Sequence, residues 1–540
     1  MRRIHLLLLS LLSGLLLSAA WPMHGFAGII FVALVPLLLV EDFVGNNRLT
    51  HSRFSVLWYA WISFFVFNIL TTWWIVNSTV FGMIMAVVLN SLFLSLAFLV
   101  YHIVRRIMFA PGRGHFALIL FWMTWEYLHL DWDLSWSWLN LGNVFASRPA
   151  WVQWYEYTGT FGGTLWILMV NIMVFWIIRA LFLQPVPRVR LWITTSMTLL
   201  LLVLPLLFSW IRYQAYVPKG DPVEVVIVQP NIDPYEEQYD LEVDEALRRN
   251  LLLAEPLLDS SVQYLVCPES ALQEVIWEGQ EEMSLSVRMI REFLLDYPRL
   301  KVVIGASTFK RYAEAEKTHT ARWHKSGGFW YDAFNTSLYI ENGVPVSFYH
   351  KSVLVPGVEK MPFRKYLAFM DKFAIDLGGT VGSIGTDPVR KVIQPGDGGP
   401  AISSTICYES AYGGFFSGFA RNGAQLLFVI TNDGWWGNTP GHRQHLLFSS
   451  LRAIETRKDI GRSANTGISC FVDQRGRILQ ATDYWTPDVI RGTMLAHDGM
   501  TFYVRQGDYL ARIAAFVSAM FLLIALVQSI LGRRKLTANH

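Results

Sequence analysis

The chain has 540 residues, of which 53% are hydrophobic and 16% charged, with a net charge of +3 at neutral pH. Soluble domains carry about a quarter charged residues, so this composition points to lipid exposure. The small net charge and the lack of basic runs interleaved with aromatics exclude a nucleic-acid binder. The charge is unevenly spread, since the first lysine is Lys219 and the sequence beyond it reads like an ordinary globular protein. That break predicts a membrane region at 1–212, a globular domain at 213–508, and a last span with a tail at 509–540.

A bilayer crossing needs about twenty apolar residues. Eight stretches qualify, at roughly 4–20, 25–41, 54–76, 80–103, 115–130, 161–183, 191–211 and 511–531. Arginines alternate between the connections. Arg2 and Arg3 precede the first span, Arg48 and Arg53 follow the second, and Arg105, Arg106 and Arg113 follow the fourth. Arg179, Arg188 and Arg190 lie around the end of the sixth, and Arg533, Arg534 and Lys535 follow the eighth. The positive-inside rule then puts both termini in the cytoplasm and 213–508 outside it. Met1-Arg2-Arg3, a leucine run and Ser18-Ala19-Ala20 also fit a cleaved leader, but removing that segment would spoil the alternation.

Trp132, Trp136, Trp138, Leu139, Trp151 and Trp154 crowd the connection between spans five and six. They read either as an interfacial aromatic belt or as a lipid-facing docking surface. Glu126 is a carboxylate well inside a proposed span, and its expected place near the outer interface argues against an ion pathway. The scarcity of other ionisable groups deep in the spans argues against a transporter.

From Val223 onward, short apolar runs alternate with amphipathic stretches. Val223–Val228, Tyr264–Val266, Val302–Ile304, Ser337–Ile340, Ile402–Ile406 and Leu426–Ile430 read as strands, and 241–258, 283–296 and 442–456 as helices. The expectation is an α/β domain. Three predicted strand ends carry reactive side chains: Glu269 after Val266, Lys351 after Tyr349-His350, and Cys407 after Ile406. Strand ends converge at a sheet edge, where active sites are commonly built. A thiol is a strong nucleophile once deprotonated, a carboxylate can take its proton, and an ammonium can stabilise a developing oxyanion. The cysteines Cys267, Cys407 and Cys470 form no C-x-x-C pair. His442 and His445 have no nearby cysteine, so no metal site is expected.

These motifs, taken together, resemble the nitrilase superfamily and, more closely, the apolipoprotein N-acyltransferase family of bacterial envelopes. The carriers are Pro268-Glu269, then Lys351-Ser352-Val353-Leu354-Val355-Pro356 with Glu359 and Pro362, then Ile406-Cys407-Tyr408-Glu409, and finally Thr431-Asn432-Asp433-Gly434-Trp435-Trp436-Gly437. Trp138-Leu139-Asn140-Leu141-Gly142 and Gly159 to Gly163 resemble the family's loop between spans five and six.

The resemblance implies a polytopic α-helical membrane bundle of eight spans and an αββα sandwich of nitrilase type. It implies residence in a bacterial cytoplasmic membrane with the catalytic domain on the periplasmic side. It also implies a ping-pong transfer without cofactor. In that scheme Cys407 takes an acyl chain as a thioester from a phospholipid, expected to be the sn-1 chain of phosphatidylethanolamine. The chain then passes to the amine of the diacylglyceryl cysteine of an apolipoprotein. Glu269 is implied as base, Lys351 as oxyanion stabiliser, Glu359 as second functional carboxylate, and Tyr408, Glu409 and Trp435 as assisting or substrate-binding residues.

The sequence departs from the family at Cys267, commonly aromatic, and at Pro356-Gly357-Val358-Glu359. The family's tryptophan after the first strand has only Tyr235 or Tyr239 as counterparts. Gly357 to Pro362 reads as a lid over Cys407 carrying Glu359, or as a rigid loop in which Glu359 is a fixed partner of Lys351. A membrane-anchored amidohydrolase that delivers the acyl group to water shares the same triad. An inactive lipid-binding scaffold is a further alternative, which the intact Glu-Lys-Cys set disfavours.

Overall fold

The structure, a computed structural model, describes residues 1–537 apart from His24, Tyr239 and 364–382, with side chains described through Leu531. It divides into two units, Met1–Ala215 with Gln506–His540, and Tyr216–Arg505. Tyr239, one candidate for the missing tryptophan, lies outside the described residues.

Among the described residues, seven helical segments of the first unit are long and apolar enough to cross a membrane: Arg3–Ala20, Ala27–Asn46, Ser55–Asn77, Val80–Met108, Thr160–Phe182, Arg188–Ala215 and Tyr509–Leu531. The stretch expected at 115–130 is the shorter apolar helix Ala117–Leu128. Its 12 residues extend roughly 18 Å at about 1.5 Å per residue.

Two prolines interrupt spans, and in each case a side chain supplies a missing bond. Pro36 follows a break at Leu34. There Asn171 accepts from the Leu34 N–H (2.8 Å) and donates to the Ile30 carbonyl (2.8 Å). Pro205 has no N–H for the carbonyl four residues back, and the Trp166 indole donates to that Leu201 oxygen at 2.7 Å.

Ionisable groups are more numerous inside the bundle than the sequence suggested. Glu41 is fully buried on Arg105 (2.8 Å) and His102 (2.5 Å), and Asp42 lies 3.3 Å from Arg179. The expected span ended near residue 41, but the helix Val35–Asn46 continues past both carboxylates, each of which is paired. Glu126 accepts from the Leu141 N–H (2.7 Å), Thr164 Oγ1 (2.7 Å) and Trp122 Nε1 (3.0 Å). It is a buried tether for the loop before the span Thr160–Phe182. Trp138 is also interior, 1% exposed against Trp74 and Trp136, so it contributes nothing to an aromatic belt.

The second unit contains β1 (Asp221–Gln229), β2 (Val262–Val266), β3 (Leu272–Trp277), β4 (Lys301–Tyr312), β5 (Arg322–His324), β6 (Phe329–Glu341) and β7 (Ser347–His350). It continues with β8 (Ile402–Ile406), β9 (Leu426–Thr431), β10 (Ile460–Ala464), β11 (Cys470–Val472), β12 (Ile478–Leu479) and β13 (Asp488–Ala496). One sheet runs β13-β1-β2-β4-β6-β5, with β3 on β4 and β7 on β6; the other runs β12-β11-β10-β9-β8.

Alternation along each strand gives one face to the partner sheet and one to helices. Val225, Ile227 and Val266 meet Ile406, Phe428 and Ile430 between the sheets. Val226, Val228 and Leu265 pack on the other side, with Leu247 and Leu251 of the helix Val243–Ala254 and Ile290 and Leu294 of Leu285–Asp296. The helices Gly413–Arg421 and Pro440–Thr456 supply Phe416, Phe419 and Ala453 to the core shared with the five-stranded sheet. This is the αββα sandwich that the resemblance implied.

Candidate active site

Strands β1, β2 and β4 run parallel, as do β8, β9 and β10. Their C-terminal ends therefore deliver side chains to a common edge. Glu269 follows β2, Cys407 follows β8 and Asn432 follows β9. Lys351 arrives from β7, whose neighbour β6 carries Asn335, and the Lys351 N–H donates to the Asn335 carbonyl at 2.8 Å.

Lys351 Nζ lies 3.3 Å from Glu269 Oε1 and 2.7 Å from Glu359 Oε1, with Lys351 1% exposed. Asn335 Nδ2 donates to the same two oxygens, at 2.7 and 3.2 Å. The second oxygen of Glu269 accepts from the Asn432 N–H (3.0 Å), and that of Glu359 from the Val355 N–H (2.8 Å). Burial opposes the charge on Lys351, but Glu269 and Glu359 outweigh it and hold the ammonium well above its ordinary pKa. It is a fixed cation.

Cys407 feels the opposite pressure. Burial pushes its thiol up, Glu269 adds to the rise, and Lys351 offsets part of it. The Cys407 thiol is consequently neutral at rest. All three cysteines are raised by burial, so ionisation alone does not single out Cys407. Position does. Cys407 is 8% exposed, whereas Cys267 and Cys470 are 0%. Cys267 belongs to the helix-facing core of the larger sheet, on the face opposite the core that includes Cys407. Its nearness in sequence to Glu269 does not bring it to Cys407.

Two backbone features aim these groups. Cys407 has φ +50° and Ser270, just after Glu269, φ +54°. A left-handed backbone is costly for non-glycine residues and recurs at functional turns. The Pro268-Glu269-Ser270 turn rests on Gly305, where a Cβ would lie 2.6 Å from the Glu269 Cα.

Glu409 ties the Cys407 turn to the Lys351 loop. It accepts from the Tyr349 hydroxyl (2.8 Å), the Ser352 N–H (2.6 Å), the Val353 N–H (3.2 Å) and the Ile406 N–H (2.8 Å). Burial outweighs these donors and raises its pKa to about 7. Tyr408 is buried with its hydroxyl 2.8 Å from that of Tyr412. The Trp435 ring meets Tyr235 at 5.2 Å, and its carbonyl accepts from the Tyr235 hydroxyl.

Asn335 and His445 have no local sequence signature for their roles. His445 Nδ1 lies 2.8 Å from Asp433 Oδ1, and its Nε2 lies 3.0 Å from the carbonyl oxygen of Cys407. Arg462 Nη2 donates to Asp433 Oδ2 at 2.6 Å. Arg462 and His445 thus hold Asp433 below the usual carboxylate range against its burial. Donor atoms of Cys407, Asp433 and His445 lie within 4.8 Å of one another, a trio that histidine spacing did not announce. Asp433 is already neutralised by Arg462, so the set fits a hydrogen-bonded scaffold behind Cys407 better than a metal cage.

The loop Val355–Lys360 is closed by backbone bonds from Gly357 to Lys360 and from Glu359 to Val355. Gly357 has φ +84°, which glycine tolerates without strain. Here Glu359 is docked on Lys351, the arrangement of the fixed-partner alternative.

Residues 13–173 match the apolipoprotein N-acyltransferase N-terminal domain, and 227–497 match the carbon-nitrogen hydrolase family. An apolipoprotein N-acyltransferase of Chlorobaculum tepidum is 30% identical over 96% of this chain and 96% of its own length. The chain belongs to the apolipoprotein N-acyltransferase family. Further relatives of that description are those of Geobacter metallireducens, 27% identical over 93% of this chain and 92% of theirs, and Thermotoga maritima, 26% identical over 95% and 94%. Among solved structures, Nit3 of Saccharomyces cerevisiae, from branch 10 of the nitrilase superfamily, aligns at 14% identity with a TM-score of 0.36. It covers 54% of this chain and 96% of its own. The protein is a membrane-embedded acyltransferase of lipoprotein maturation, with a carbon-nitrogen hydrolase unit for its chemistry.

Proposed function

We propose that Cys407, Glu269 and Lys351 are the reacting set, and that one carboxylate serves both halves of a ping-pong transfer. The observation that carries this reading is the buried ammonium of Lys351 between Glu269 and Glu359, beside a thiol whose ionisation its surroundings oppose. In the first half, Glu269 takes the thiol proton as sulfur bonds to the ester carbonyl carbon of a phospholipid. The developing oxyanion faces Lys351 Nζ. The carbon–oxygen bond breaks, and the lysophospholipid oxygen leaves with the proton from Glu269. In the second half, the amine of a lipid-modified cysteine attacks the thioester and gives a proton to Glu269. The carbon–sulfur bond breaks, and that proton returns to Cys407 as the amide forms.

Glu359 keeps Lys351 charged and oriented, and Glu409 holds the nucleophile turn against the lysine loop. Tyr408 and Trp435 shape the surroundings of the acyl group. The family resemblance supports phosphatidylethanolamine as donor. It also supports a bacterial inner-membrane address, with the catalytic unit on the periplasmic side and both termini in the cytoplasm. The alternating arginines favour the same orientation.

Isolating the intermediate tests this scheme. Enzyme incubated with phosphatidylethanolamine and then freed of lipid should transfer about one acyl chain per active site to a diacylglyceryl peptide. Transfer only when phospholipid and peptide are present together would contradict it. Equal release of the chain to water without peptide would favour the amidohydrolase alternative.

A further inference from the structure

The arginine-rich end of the bundle has a cleft of about 340 Å³, lined by Arg48, His51, Arg53, Ile103, Arg106 and Ile107. Two pieces of chain form it: the turn before the span Ser55–Asn77, and the last turns of Val80–Met108. Nearby arginines have carboxylates, Arg105 on Glu41 and Arg179 on Asp42. The three arginines of the cleft have backbone or ring contacts. Arg48 Nη2 donates to the Phe109 carbonyl at 3.4 Å, Arg106 Nη1 to that of His51 at 3.5 Å, and the Arg53 guanidinium lies 5.0 Å from the centre of the Phe54 ring. Among the described residues, no ion pair reaches any of the three. Arginines at a bilayer surface are ordinary. Three that converge on one concavity repel one another and leave a built site for an anion.

The walls indicate which anion. Ile103 and Ile107, one helical turn apart, form an apolar side. Phe54, Trp58, Trp61 and Phe65 follow at helical spacing into the span, with Trp58 stacked on Trp61 at 5.6 Å and Trp61 on Phe65 at 5.0 Å. Phe54 and Trp58 are exposed, at 54% and 58%. A phosphate seated among the arginines would leave its acyl chains along this aromatic stripe, whereas a free phosphate has no use for it.

We propose that this cleft is a binding site for the headgroup of an anionic phospholipid, separate from the site of acyl transfer. Basic pockets at the ends of spanning helices select such headgroups, by roughly a factor of five per arginine at the membrane surface. Native mass spectrometry of the delipidated full-length protein in neutral detergent tests the assignment. The probes are dioleoyl phosphatidylglycerol, dioleoyl phosphatidylcholine and inorganic phosphate.

The wild type should retain one phosphatidylglycerol in preference to phosphatidylcholine, and millimolar phosphate should not displace it. The double variant Arg48→Gln, Arg106→Gln should lose that preference by at least about tenfold while acyl transfer continues. Equal retention of the two lipids by the wild type, or an unchanged preference in a folded double variant, overturns the proposal. Complete displacement by phosphate overturns the lipid assignment. If the double variant does not fold, Arg53→Glu decides, because Arg53 is exposed on a turn. It should weaken the preference at least about threefold, and no change overturns the proposal.

Discussion

Cys407 is a thiol in a poor place to ionise. Burial and the neighbouring Glu269 both push it toward the protonated form, and Lys351 only partly compensates. This arrangement makes Glu269→Gln informative. Burial still raises the thiol, but the substitution removes the added field of Glu269, so thiolate becomes somewhat easier to form, and a lost rate reports the missing base. Single-turnover thioester formation near neutral pH should fall by about a hundredfold to ten-thousandfold. The variant should regain rate as pH rises and the thiol ionises unaided. Unchanged formation at neutral pH would remove Glu269 from the role. Glu269, Lys351 and Cys407 were legible because each follows a strand end within a distinctive local motif. Asn335 was not, because its place opposite both carboxylates depends on the register of β6 against β7. Nor was the Asp433–His445–Arg462 chain, whose members come from the loop after β9, from a helix and from the middle of β10.

The site depends on how β2 ends. Its last turn, Pro268-Glu269-Ser270, is seated on the backbone of β4 at Gly305, with the Gly305 N–H donating to the Pro268 carbonyl at 3.0 Å. A Cβ at Gly305 meets backbone atoms at 2.6–2.7 Å, and backbone cannot rotate aside. Gly305→Ala should therefore shift the base from Lys351, costing about 1–3 kcal/mol of stability and slowing acylation. Thermal unfolding and acyl-transfer rates check this, and a variant equal to wild type in both would show that the turn is not held there. Strands with apolar runs, such as β1 and β9, were readable in sequence. β13 was not, because Arg491, Gly492 and Thr493 interrupt its apolar pattern, although it pairs with β1 from Asp221 to Gln229. The helix-facing core of Cys267 was also hidden, since strand alternation tells that a side chain changes face but not which face holds the site.

At the scale of the whole molecule, apolar length marked the membrane unit and the mixed charge of 216–505 marked the catalytic one. The buried charges were misread because composition shows a carboxylate but not its partner; Glu41 finds Arg105 only after two spans are packed together. The alternating arginines predict a sidedness that can be tested. Reporter fusions after Arg113 and after Arg190 should read cytoplasmic, and fusions within 216–505 external. An external signal at Arg113 would break the assignment, because the crossings are counted in order. The account as a whole rests on one bond, the thioester at Cys407. The measurement that reaches it directly is peptide mass spectrometry of the full-length enzyme after incubation with phosphatidylethanolamine and no acceptor. The mass of one acyl chain, labile to hydroxylamine, should appear on the peptide containing Cys407 and vanish in Cys407→Ser, while Cys267→Ser and Cys470→Ser still acquire it. An acyl chain on another residue, or turnover by a folded Cys407→Ser enzyme, would contradict the account.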